Sequence, residues 1–294
     1  MRRAGLLLAC AATLACAVFG CGRGGSSRTV IQNKGSDTLV NVAQAWAEAY
    51  KTVAPEVAVA VTGGGTGTGI AALINGTVDI ANASREIGAE ELEMARRGGA
   101  DPQKFVVGHD ALAIFVHHDN PLDRISIADL AEIYGEGGKI ERWSDLGIEL
   151  PGCGSDEIIR VSRQNNSGTY VYFREAVLGV RRDYKLGSRD MHGSKDVVDL
   201  VANTPCAIGY SGIAYATPEI RMPCLVTESG GCVEPAIETA LDGSYPISRP
   251  LFMYTRIAPE GAVKTYLDWI LSDAGQCILF DKGYAPVHAL TCGA

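Results

Sequence analysis

The chain repeats one local pattern: a short β-prone run, a turn rich in glycine and hydroxyl side chains, then a helix with an apolar stripe. Residues 29–32 form the first run, which ends at Lys34-Gly35-Ser36-Asp37. Leu39, Val42, Ala43, Trp46 and Tyr50 follow with the spacing of one helix face. Residues 57–62 form the second run and break at Gly63-Gly64-Gly65-Thr66-Gly67-Thr68-Gly69, before a helix carrying Ile70, Leu73 and Ile74. Residues 78–81 enter a third run, which ends at Asn82-Ala83-Ser84-Arg85. Strands alternating with helices assemble as α/β layers with crossover helices. The 35 glycines are too many for a helical bundle and suit such turns.

The second half varies the theme. Residues 105–116 are a long β-prone stretch around Asp110. Ser126 and Asp129 have capping-box spacing ahead of Leu130, Ile133 and Tyr134. Residues 158–161 read as a strand closed by Ser162-Arg163-Gln164-Asn165-Asn166-Ser167-Gly168-Thr169, and a helix follows with Tyr170, Phe173 and Val177 on one face. Residues 207–215 read as a returning strand, and 262–271 as a late helix.

Three of these turns share a chemistry. Gly35-Ser36-Asp37-Thr38, Gly65-Thr66-Gly67-Thr68 and Ser167-Gly168-Thr169 each lead from a strand into a helix. A helix start offers unpaired N–H groups and partial positive charge, glycine permits close approach, and Ser or Thr adds donors without charge. In open α/β sheets such loops gather at the carboxyl ends of strands. Arg163, four residues before the third turn, can supply a guanidinium fork. Taken singly, each hydroxyl is ordinarily a plain N-cap; together they point to a small anion without identifying it. Gly67, Gly69 and Ala72 fit GxGxxA, but no clear acidic residue follows about 20 positions on, and no Walker lysine follows the glycines.

Two bulk features set the compartment. Met1-Arg2-Arg3 precedes an apolar run over 4–19, the form of an export signal and too short for a membrane span of about 20 residues. The run ends Val18-Phe19-Gly20-Cys21, which resembles a lipoprotein cleavage box with Cys21 as the lipidated residue; ordinary signal cleavage nearby is the alternative. Six further cysteines, Cys153, Cys206, Cys224, Cys232, Cys277 and Cys292, fit disulfides in an exported chain. Fifteen pairings are open; Cys224–Cys232 suits a hairpin clip, with Cys277–Cys292 and Cys153–Cys206 as further candidates. No CxxC pair or histidine cluster offers a zinc site, and His117-His118 reads as surface. The net charge of −8 argues against a nucleic-acid or anionic-membrane face.

The landmarks at 35–38, 63–69, 79–86, 110–116 with Asn120-Pro121, 140–146, 163–169, 207–210, 271–276 and 283–287 together resemble the phosphate-binding proteins of the phosphate-specific ABC transporter. The resemblance implies a type II periplasmic-binding (Venus-flytrap) fold: two α/β lobes, joined by two crossing strands near 109–116 and 208–215, that close by hinge motion. It divides the chain into a leader and tether over 1–28, lobe I over 29–110 and 214–294, and lobe II over 111–213. It implies capture of inorganic phosphate by a lipid-anchored monomer on the periplasmic side, delivery to ABC permease subunits, no catalysis, no cofactor and no nucleic acid. Soluble periplasmic residence is the alternative to the anchor.

Carried over by position, Thr66, Arg163, Ser167, Gly168 and Thr169 match phosphate-contacting positions, and Ser36 and Thr38 fall in the first contact loop. The best-known members have an aspartate where this chain has Ser84; here Ser84-Arg85 are both expected to donate. Phosphate near neutral pH keeps a proton that sulfate lacks, so discrimination calls for a buried acceptor. Asp37 and Asp110 are the candidates, with helix capping and a hinge salt bridge as their plain alternatives. Competing functions are a sulfate- or molybdate-binding protein and an exported phosphatase; no Ser–His pair or GxSxG supports the latter.

Overall fold

The computed structural model describes residues 28–292. In chain order its elements begin with β1 (Thr29–Gly35), α1 (Val40–Val53), β2 (Val57–Thr62), α2 (Thr66–Ile74), β3 (Ile80–Ala83) and α3 (Ala89–Arg97). They continue with β4 (Gln103–His117), β5 (Arg124–Ser126), α4 (Ile127–Tyr134), β6 (Ile159–Arg163), α5 (Gly168–Phe173), β7 (Arg189–Met191), α6 (Ser194–Ala202) and β8 (Ala207–Gly212). Last come β9 (Ile220–Arg221), β10 (Cys224–Val226), β11 (Cys232–Val233), α7 (Ile237–Leu241), β12 (Ser248–Thr255), α8 (Gly261–Ile270) and α9 (Asp273–Asp281). The early strand–turn–helix units stand where their periodicity places them. Ser126 Oγ accepts from Asp129 N at 3.0 Å, and the Asp129 carboxylate accepts from Ser126 N, as the capping box predicts.

The main sheet runs β2-β1-β3-β12-β4-β8-β6-β7. β1 is parallel to β2 and β3, and β6 is parallel to β7 and β8, while β12 and β8 run antiparallel to β4. The 15-residue β4 belongs to both halves: its first part pairs with β12, and Leu112 to Val116 pair with β8. Each half has its own core. Ile31, Trp46, Tyr50, Val107, Leu251 and Tyr266 pack in one. Leu112, Ile133, Trp143, Phe173, Tyr210 and Ile247 pack in the other. This is the two-lobed type II periplasmic-binding architecture.

The return crossing lies elsewhere than the apolar 208–215 stretch suggests. β8 ends at Gly212, and the chain stays with the second half: β9 pairs with β4 at Val116 and His117, and β10 pairs with β5. Leu225, Ala240 and Tyr245 enter the second core, whereas Leu251 enters the first. The chain therefore passes back between Ile247 and Leu251, at the start of β12. Of residues 214–294, expected in lobe I from the sequence, β9 and β10 pair with strands of the second half and Ala240, Tyr245 and Ile247 join its core.

Three disulfides join Cys153 to Cys206, Cys224 to Cys232 and Cys277 to Cys292, with Cα separations of 5.5, 5.6 and 5.7 Å. No described helix is long and apolar enough to cross a membrane. Cys21 and the apolar 4–19 run lie outside the described residues.

Candidate functional site

β1, β2 and β3 run parallel to one another, while β6 runs the opposite way in the other half, so the turns that follow these strands approach each other from the two halves. Ser36 and Thr38 follow β1, Thr66 opens α2 after β2, Ser84 follows β3, and Ser167 and Thr169 flank the start of α5 after β6. All six hydroxyl-bearing residues are 2% exposed or less, far below what solvated caps show. They meet in a single cluster. Ser36 Oγ donates to Ser84 Oγ at 2.9 Å, and Ser84 Oγ lies 3.3 Å from Thr66 Oγ1. Across the halves, Thr38 Oγ1 and Thr169 Oγ1 share a hydrogen bond of 3.0 Å. Thr169 N donates to Ser167 Oγ at 3.1 Å, so Ser167 also caps α5.

Gly168 shows why no larger residue serves here. A Cβ on it would sit 2.5 Å from Thr66 Oγ1 and 2.6 Å from Ser84 Oγ, so only glycine lets the α5 turn approach the opposite hydroxyls. Gly65, at φ 88°, holds the left-handed conformation that aims the first turn of α2 the same way.

Arg163, 1% exposed at the end of β6, donates from Nη2 to Asp37 Oδ2 at 3.3 Å and to the His192 carbonyl at 2.8 Å. Its Nη1 donates to Ser194 Oγ at 2.9 Å, and its buried Nε has no protein partner. Burial lowers its pKa and the Asp37 carboxylate opposes that, so the guanidinium keeps its charge. Asp37 accepts from Gly64 N through Oδ1 at 2.8 Å. Its carbonyl is anchored by Tyr215 Oη at 2.6 Å, while Tyr284 Oη donates to the Thr38 carbonyl.

Residues 23–274 match the family described as PBP superfamily domain. The chain is 34% identical over 272 residues to the phosphate-binding protein PstS of Pseudomonas aeruginosa, covering 88% of this chain and 83% of that one. The chain belongs to the PstS family. It is also 32% identical over 302 residues to protein SphX of Synechococcus elongatus, covering 98% of this chain and 86% of that one. Among solved structures, a candidate phosphate ABC transporter substrate-binding protein with bound phosphate from Clostridium perfringens superposes with a TM-score of 0.78 at 28% identity. That match covers 88% of this chain and all of the other.

Two sequence-derived candidates already have charged protein partners in this PstS-family chain. Arg85 is held by acidic and backbone partners: its Nη1 and Nη2 donate to the Glu91 carboxylate at 2.7 and 2.8 Å, and Nη1 also to the Glu86 carbonyl. Glu91 is held by that fork and by Gly88 N. Burial pushes its pKa up, and the Arg85 and Gly88 hydrogen bonds more than offset this, leaving it below the usual range. Asp110, wholly buried on β4, is already engaged by a cation the sequence reading missed. Arg249 sits opposite it on β12 and donates from Nη2 to Asp110 Oδ2 at 2.9 Å. Burial pushes the Asp110 pKa up, and Arg249 only partly offsets it.

Arg249 does more than neutralise Asp110. Its Nη2 also reaches Thr169 Oγ1 at 3.0 Å and Thr38 Oγ1 at 3.4 Å, while Nη1 donates to the Ser84 carbonyl at 3.1 Å. It thus touches hydroxyls of both halves. The signal was available: an arginine beside Leu251-Phe252-Met253-Tyr254-Thr255, a β-prone run, is a charge placed inside a strand. Ser248 and Pro250 masked the strand's beginning, since proline is sparse inside sheets.

A cleft of about 1040 Å³, lined by Ser84, Arg85, Tyr172, Arg174 and Arg249 among others, borders the cluster. His117, His118 and Asp119 converge at the far end of β4 with ligand-type atoms within 4.8 Å of one another. His117 is buried, not the surface residue its sequence suggests, and its Nδ1 already accepts from Asp119 N at 3.2 Å.

Proposed function

We propose that this PstS-family protein captures inorganic phosphate between its two halves and hands it to the membrane subunits of an ABC importer. The observation that carries the reading is the gathering of six buried hydroxyls from separate turns around Arg249, which reaches Thr38 across 211 residues of sequence, with the buried Arg163 paired to Asp37 of the same first turn. The phosphate-binding names of the relatives and the phosphate-bound neighbour support the same ligand.

The chemistry suits a small, partly protonated tetrahedral anion. Ser36, Thr38, Thr66, Ser84, Ser167 and Thr169 supply donors that exchange their mutual hydrogen bonds for the anion's oxygens. Asp37 and Asp110 offset the two guanidiniums, so the site carries little net charge before the ion arrives. Each carboxylate has a guanidinium partner, and this reading assigns the proton that phosphate retains to Asp37, which lies in the same turn as Ser36 and Thr38. A sulfate oxygen facing that carboxylate would find no proton to share and would be repelled. Arg85, engaged by Glu91, takes no direct part in this reading.

Binding is passive here, with no bond made or broken. Among the described residues no histidine ring hydrogen-bonds to a cluster hydroxyl, so no serine of the cluster is paired with a base in the Ser–His manner. The lobes in this reading are 29–110 with 248–292, and 111–247. The protein acts as an exported monomer, held at the membrane by a lipid on Cys21.

Thermal denaturation tests the ligand. Phosphate at a hundred times its dissociation constant should stabilise the protein by about 2.7 kcal/mol. Arsenate should act likewise. A melting temperature that ignores millimolar phosphate would overturn the reading.

A further inference from the structure

Asn166 lies in the turn between β6 and α5 and reaches the glycine turn after β2 in the opposite half. Its Nδ2 donates to the Gly64 carbonyl at 3.0 Å, and its carbonyl accepts from Gly67 N at 2.9 Å. The glycine turn is shaped for this approach: a Cβ on Gly65 would stand 2.8 Å from the Asn166 carbonyl oxygen, and one on Gly67 3.3 Å from it. Neither hydrogen bond involves a hydroxyl of the cluster.

The Gly64 peptide groups are gripped from both sides. Gly64 N donates to Asp37, which receives Arg163, while Gly64 O receives Asn166. Arg163 and Asn166 belong to one half, and Asp37 and Gly64 to the other. The four residues therefore form a chain of hydrogen bonds that crosses between the halves at both ends. Opening the cleft must break the Arg163–Asp37 contact and both Asn166 bonds.

We propose that Asn166 is a closure latch: a positioning residue that sets how long the anion is retained without touching it. The retention part rests on the phosphate reading above; the latch itself does not. The glycines at 64, 65 and 67 are, on this view, as much a socket for Asn166 as a loop for the anion.

Two measurements on the full chain decide it. Amide deuterium exchange over residues 63–69 reads the latch with no added ligand, and stopped-flow displacement of inorganic phosphate reads retention. Asn166→Ala removes the side-chain bond, and the phosphate dissociation rate should rise about fivefold with little change in association rate. Exchange over 63–69 should rise as well. Asn166→Asp, which sets a carboxylate against the Gly64 carbonyl, should do more. Wild-type exchange and wild-type dissociation in both variants would overturn the latch. If the native protein bound no phosphate, the phosphate reading would fall, and the exchange measurement alone would uphold or overturn the latch.

Discussion

Arg249 and Asp110 face each other across β12 and β4, 2.9 Å apart and both essentially buried, at the place where the chain returns from one half to the other. A buried ion pair is poor evidence of net stability, but removing one partner is costly because the other charge stays buried. The pair's value here lies in where the rest of the guanidinium goes, to Thr38 and Thr169 on opposite halves.

Arg249→Met should therefore destabilise the fold by about 3–5 kcal/mol in urea denaturation and abolish measurable phosphate binding. Adding Asp110→Asn should recover most of the stability, because no uncompensated charge remains. It should not recover the affinity. Restored binding in the double variant would make Arg249 purely structural.

Asp37→Asn should lower stability, because Arg163 stays buried without its carboxylate, and in the folded variant should weaken phosphate by about tenfold or more, since a charge-assisted bond is worth about 1.5–3 kcal/mol. Its sharper consequence is in selectivity. The amide can donate to sulfate, so sulfate should compete in this variant and not in the parent, as read by competition titration.

Glu91 tests where Arg85 points. Its carboxyl is held below the ordinary glutamate range in the fold. The unfolded chain thus binds the proton more readily, and the stability contributed is complete at neutral pH and lost as the pH falls below about 4.5 through the folded value. Because the pair is partly exposed, Glu91→Gln should cost no more than about 1 kcal/mol at pH 7. The difference from the native protein should vanish near the acid end of a denaturation series, while phosphate affinity stays unchanged.

The covalent clips should differ with the chain they close. Cys153–Cys206 spans 53 residues and Cys224–Cys232 spans 8. Chain-entropy scaling assigns them about 4 and about 2.5 kcal/mol respectively. Paired Cys→Ser variants, compared by urea midpoint, should rank in that order.

Much of this was legible because it is local. The turns at 35–38, 65–68 and 167–169 announce themselves through glycine and hydroxyl residues beside apolar runs, and the structure brings the first two against the third across the halves. Arg249 was not legible by the same means, because its strand opens with Ser248 and Pro250 and pairs with partners over a hundred residues away. The course of the chain after β8 was not legible for a related reason. Residues 208–212 do form a fully buried strand, and nothing local shows that the chain then adds β9, β10 and α7 to the same core before leaving it. The partner of Arg85 was not legible because Glu91, six residues on at the start of α3, reaches the guanidinium only once α3 has folded back beside it.

The central claim is that donors from both halves close on one protonated oxyanion. Isothermal titration at pH 7, with phosphate and then sulfate on the native protein and on Arg163→Ala, tests it most directly. The account predicts micromolar or tighter phosphate binding, no sulfate heat, and at least about a hundredfold loss in the folded Arg163→Ala variant, the scale of two charge-assisted bonds. Tight sulfate binding, or unchanged phosphate affinity without Arg163, would contradict it.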